Sequence, residues 1–239
     1  MNIEEYEKVK ELTYLEYCDY LQQKYGIGLC DYMTQSWSAN PKCSRTKDGL
    51  FAHHKYEDHA IRLSDKEYAM KNPFEWQLAE NIVYCDYLEH LLLHILICEN
   101  PAVDKNENEV VGIGGILQYL IPELNDLYSV AEAKKRLEEM RNKLSEDEAT
   151  EWADQISSWE PRAKWKRNCQ QLVANDKEVF FVLLKRFKLS YEKHYKYNRN
   201  SFCKSLYERR SLFSMDKWYR FWRMSFVKDI YKQIRIALT

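Results

Sequence analysis

Five of the chain's six histidines fall between positions 53 and 94. Imidazole binds divalent metals as a neutral ligand and also exchanges protons near neutral pH. His90 and His94 are four residues apart, so on a helix they project from one face, one turn apart, and can share a metal ion. His53 and His54 are adjacent, and neighbours on a strand point to opposite sides. One of that pair can join the helix histidines while the other faces away from the metal. A metal-dependent hydrolase needs this division: neutral ligands that leave the ion an open position, and a separate free base about one water away. The plainer alternative is a set of satisfied core histidines, which is what a single His on an apolar helix usually is. Two at i,i+4 facing a His-His pair are harder to assign to packing. His59, after Glu57-Asp58, reads as a surface or loop-anchoring residue. His194, isolated among Tyr and Lys, reads as solvated or in contact with phosphate.

The elements that must position these groups follow from pattern and punctuation. Apolar residues from Ile3 to Leu21 recur at helical spacing up to Gly26, which predicts one helix over 3–25. Ser36 to Gly49 is a loop, with Asp48-Gly49 as its turn. Leu50-Phe51-Ala52-His53-His54 reads as a strand, 64–71 as a short helix stopped at Asn72-Pro73, and Ile82-Val83-Tyr84-Cys85 as a second strand. Asp86 with Glu89 three residues on is a capping-box pattern, so Tyr87 to Cys98 is a buried helix. Residues 99–112 form a loop, 113–128 a helix interrupted around Pro122, and 130–147 a charged helix. Helices then follow one another, with a break at Glu160-Pro161. Gly112-x-Gly114-Gly115 lacks the Lys-Ser/Thr of a phosphate loop and the dinucleotide spacing. No internal repeat is present.

His53-His54, Asn81, His90 and His94, carried on strand, strand and helix in that order, resemble the HNH nuclease motif of the ββα-metal (His-Me finger) family. Asn81 lies nine residues before His90, and His94 follows four later, as in the colicin-type branch. The resemblance covers about residues 45–100. It implies a mainly α protein with a small ββα-metal module, an α+β arrangement, acting as a metal-dependent endonuclease that hydrolyses DNA phosphodiester bonds. It implies that His54 is the general base, that Asn81 holds the inter-strand loop and so orients His54, and that His53, His90 and His94 bind one divalent cation. Many family members carry Asp where His53 stands, which leaves Zn, Ni, Mn and Mg all open. The segment between His54 and Asn81 is long for the family, and Cys43, Cys85 and Cys98 do not form the Cys pairs that often flank the motif.

Charge is unevenly distributed. Residues 1–161 carry a net of −15 and residues 162–239 a net of +14. Either the basic part meets a polyanion or it packs on its own acidic half. The resemblance favours nucleic acid. Arg45, Lys47, Lys55 and Arg62 are the cations near the motif. Lys166, Arg167, Lys185, Arg186, Arg209, Arg210, Arg220 and Arg223 are those of the basic segment, interleaved with aromatics. At helical spacing Trp218, Phe221, Trp222 and Phe226 read as core. The division expected is a helical segment 1–44, the ββα-metal module 45–100, an acidic helical segment 101–160 and a basic, nucleic-acid-binding region 161–239.

No apolar run approaches the roughly 20 residues that span a bilayer, so no membrane partner is expected. Seven Cys without a CxxC pair fit reduced thiols and a cytoplasmic protein. A homodimer and an RNA substrate stay open, as do a non-catalytic DNA-binding or protein-interaction module with a structural metal.

Overall fold

The computed structural model describes residues 1–195, with side chains through Ser190. The side chain of His194, the stripe Trp218, Phe221, Trp222 and Phe226, and the cations Arg209, Arg210, Arg220 and Arg223 lie outside the described residues.

The first apolar stretch folds as two helices, α1 (Ile3–Val9) and α2 (Tyr14–Tyr25), instead of one over 3–25. Thr13 is the cause. Its hydroxyl accepts the Glu16 N–H while the Glu16 carboxylate accepts the Thr13 N–H, and this capping box starts a fresh helix. Gly26 ends α2 with a φ of 84°. A loop then leads to β1 (Phe51–His54), a short helix α3 (Lys66–Ala69), β2 (Ile82–Cys85) and α4 (Tyr87–Glu99). The strands pair antiparallel, with His53 opposite Val83 and His54 opposite Ile82. The strand, loop, strand, helix order read from the sequence is therefore present.

Pro122 does not interrupt the next helix. Ile113–Gly115 (α5) runs through a π turn, Ile116–Leu120, into α6 (Ile121–Met140). Pro122 sits in the first turn of α6, where a missing N–H costs little, and the wider π turn ahead of it makes room for the ring. The charged stretch after it is divided between α6 and α7 (Glu146–Ser158), because Ser145 and Glu148 form another capping box. After the break at Pro161 come α8 (Lys164–Leu172) and α9 (Lys177–Tyr195).

The described residues are mainly helical around one two-stranded sheet. Its centre is α4, which is apolar on nearly every side and packs against α2, α9 and the π turn. Burying each of Leu91, Leu92 and Leu96 contributes about 1.5–3 kcal/mol. Residues from all four sequence segments meet in this core, including Tyr17, Leu88, Ile116, Leu124, Phe180 and Phe187. A satellite cluster of Ala133 and Ile156 joins α6 to α7. Among the described residues no helix is long and apolar enough to cross a membrane.

Candidate metal centre

The sheet and α4 bring four side chains to one point. The start of α4 is fixed by Asp86, whose carboxylate accepts the Leu88 and Glu89 N–H groups at 2.8 Å and pairs with the Met1 amino group. Glu89 closes that capping box and takes Lys24 at 2.7 Å. One turn further on, His90 and His94 face β1, with their Nε2 atoms 3.2 Å apart. His53 lies on the α4 side of β1, its ring 5.1 Å from His90 and 5.3 Å from His94. The three ligand histidines named by the sequence are thus brought together; His53 and His94 are buried and His90 is half-buried.

Neighbouring groups set which nitrogen of His53 and of His94 is free. Tyr14 donates its hydroxyl proton to the His54 carbonyl at 3.1 Å and so accepts His53 Nε2–H at 2.9 Å. That leaves the lone pair on His53 Nδ1, which is buried without a hydrogen-bond partner. His94 donates Nδ1–H to the Gly112 carbonyl at 3.0 Å, leaving its Nε2 lone pair inward. Gly115 lies flat on the same ring. A Cβ there would stand 2.6 Å from His94 Cε1, so the glycine cluster that sequence alone could not use is the backing of a ligand.

A fourth group completes the set. Glu57 Oε2 lies 3.6 Å from His53 Nδ1 and 3.5 Å from His94 Nε2. Ligand atoms of His53, Glu57, His90 and His94 all lie within 4.8 Å of one another. Metal–nitrogen bonds of about 2.0–2.1 Å around a tetrahedral ion separate its ligands by about 3.3 Å. The spacing and the N3O donor set could hold a divalent metal ion. Sequence reasoning passed over Glu57. The available signal was its place four residues after His53, in the turn that leaves β1.

The electrostatics agree. Burial, reinforced by the facing His94 and His54 and opposed by Glu57, pushes His53 down to about 3. Burial also lowers His90 and His94, the former well below its ordinary value. Burial would raise the Glu57 carboxyl, but His53, His54 and His94 around it hold it well below the usual carboxylate range. Neutral imidazoles beside an ionised carboxylate give four lone pairs and one negative charge, which together call for a cation.

His54 turns to the other side of the sheet, as strand alternation requires. It is 1% exposed. Gln77, also buried, donates to the Leu63 carbonyl at 3.2 Å and so presents Oε1 to His54 Nε2–H at 3.1 Å. The His54 Nδ1 lone pair is left 3.6 Å from Glu57 Oε1. Asn81 does not touch His54. Its side chain donates to the Glu75 carbonyl at 2.8 Å, and its carbonyl accepts the Lys55 N–H at 2.9 Å. It ties the loop to the residue after His54, while Gln77 makes the direct contact. His59 anchors a loop, with Nδ1 2.6 Å from Asp58 and Nε2 3.2 Å from Asp104.

The cluster opens into a cavity of about 890 Å³ whose wall includes Glu57, His90, His94, Arg62 and Tyr119. Of the proposed phosphate-binding cations Arg62 is in that wall and 58% exposed, with Asp65 at 2.6 Å. Arg45, Lys55, Lys166, Arg167 and Arg186 are held elsewhere. Arg45 binds Asp48 and the Tyr25 carbonyl, and Lys55 binds Asp19. Lys166 pairs with Glu123 at 2.5 Å, and Arg167 holds the carbonyls of Pro161 and Arg162. Arg186 grips Glu99 with two nitrogens and the Lys10 carbonyl with the third. Lys185 lines a groove beside that pair. No family model matches the chain, and neither a curated protein nor a solved structure matches it.

Proposed function

We propose that the protein is a metal-dependent endonuclease of HNH type that hydrolyses DNA phosphodiester bonds. One observation carries the reading: three imidazoles and Glu57 converge within 4.8 Å of one another, and the free nitrogen of a fourth buried imidazole, His54, lies 3.6 Å from that Glu57. When bound, a divalent cation supplies charge stabilisation to the phosphate and to the leaving oxygen. His53, His90 and His94 hold the cation. His54 Nδ1 takes the proton of the attacking water, Gln77 keeps that nitrogen free, and Glu57 faces the imidazolium that forms. Arg62 is the cation placed to meet a phosphate in the cavity.

Glu57 also supports a second reading. If it takes the fourth corner of the tetrahedron permanently, the site is closed, as structural zinc sites are. The protein would then be a binding module stapled by its metal.

Supercoiled plasmid separates the two. Wild type, His54→Ala and Glu57→Gln are stripped with chelator and given Zn, Ni, Mn or Mg. Nicking by wild type that His54→Ala abolishes, with its metal content intact, supports the nuclease. Bound metal with no cleavage by any of the three, on supercoiled plasmid or on single-stranded oligonucleotide, overturns it in favour of the structural site.

A further inference from the structure

Aromatic rings lie exposed beside the metal centre. Phe51 is two residues before His53, so strand alternation puts both on one face of β1. Its ring is 5.8 Å from that of His90. Against it stand Tyr119 at 6.3 Å and Trp165 at 6.4 Å, both nearly perpendicular. Tyr119 is 36% exposed and Trp165 43% exposed. Tyr119 lines the same cavity as Glu57, His90, His94 and Arg62. Trp165 follows Lys164 at the start of α8, while Lys166 beside it is paired with Glu123. An apolar ring gains by burial, so a tyrosine and a tryptophan left open together make a patch suited to a ligand.

We infer that Tyr119 and Trp165, backed by Phe51, form a stacking subsite for one unpaired DNA base next to the phosphate held at the metal centre. The inference rests on the nuclease reading and deepens it by naming the form of the substrate. The site sets Arg62 beside partly exposed aromatic rings, and a cation next to such rings is the chemistry of single-strand recognition. A nucleotide offers both complements one bond system apart: an anion for the metal and Arg62, and a flat ring for the aromatics. A base in a duplex keeps both faces in its own stack and cannot offer one. The substrate is therefore single-stranded or locally unwound DNA.

Binding is measured by fluorescence anisotropy with labelled oligonucleotides in the full-length, metal-loaded His54→Ala background. The probes are a base-bearing single strand, an abasic strand of equal length and a duplex. The base-bearing strand should bind about tenfold more tightly than the other two, and Trp165→Ala or Tyr119→Ala should remove that advantage. Trp165→Phe should largely restore it, which separates a lost ring from a lost fold. Equal binding of abasic and base-bearing strands, or Ala variants that bind like their parent, overturns the subsite; the nuclease reading survives if wild type still nicks plasmid. A dimer that Trp165→Ala dissociates would assign the patch to a second copy and also overturn it. Wild type that neither binds any probe nor cuts DNA overturns both.

Discussion

At the residue scale, His53 and His94 depend on the groups behind them. Tyr14 is the clearest case, because one hydroxyl both accepts from His53 and donates to the His54 carbonyl. Tyr14→Phe keeps the ring and its packing but frees the His53 tautomer. It should weaken metal binding about 10–100-fold in a chelator competition, with secondary structure unchanged. The same residues set a pH dependence. Between about 3 and the ordinary 6.5, the unfolded chain binds a proton at His53 that the native chain refuses. The lowered His90 and His94 and the depressed Glu57 act in the same direction. Stability of the metal-free protein should therefore be complete above pH 6.5 and fall as the pH drops towards 4, seen as a falling melting temperature. His53→Phe should flatten part of that slope.

At the element scale, the sheet and α4 were legible and the supports around them were not. Alternation on β1 and the i,i+4 pair on α4 are local geometry, so His53, His90 and His94 could be named from spacing. Glu57, Gln77, Tyr14 and Gly112 reach the site from loops and from another helix, and no period in the sequence announces them. The π turn belongs to this class. It lays Gly115 on His94, and Gly115→Ala would drive a methyl group to within 2.6 Å of the ring. Either the imidazole or the turn must move. Metal affinity should fall at least tenfold while the melting temperature of the metal-free protein changes little, since the clash lies at the rim of the core. The break at Thr13 shows the opposite lesson: a capping box written plainly in the sequence outweighed an apolar period that ran across it.

At the scale of the whole molecule, the described part of the basic segment meets acidic partners at three points. Lys166 meets Glu123, Lys177 meets Glu132 and Arg186 meets Glu99, each joining the basic end of the described chain to the acidic part. Arg186 ties α9 to the ends of α4 and α1 at once. Arg186→Ala should lower stability by about 1–3 kcal/mol, read from denaturant midpoints. It should leave the salt dependence of DNA binding unchanged, because a cation already held releases no counterions. Arg62→Gln should do the reverse, reducing the salt slope by about one with stability kept. Arg62 is 58% exposed and can exchange Asp65 for a phosphate, whereas all three nitrogens of Arg186 are engaged. The sequence by itself determined the helical class, the two strands, the capped α4 and the histidine spacing, because each depends on neighbours within a turn or a strand. Only the tertiary structure decided that Glu57 joins the histidines, that Gln77 holds His54, and which cations face the cavity. Gln77 and His54 stand 23 positions apart, and Glu57 meets His94 from a different element, so these distances follow from how the elements pack.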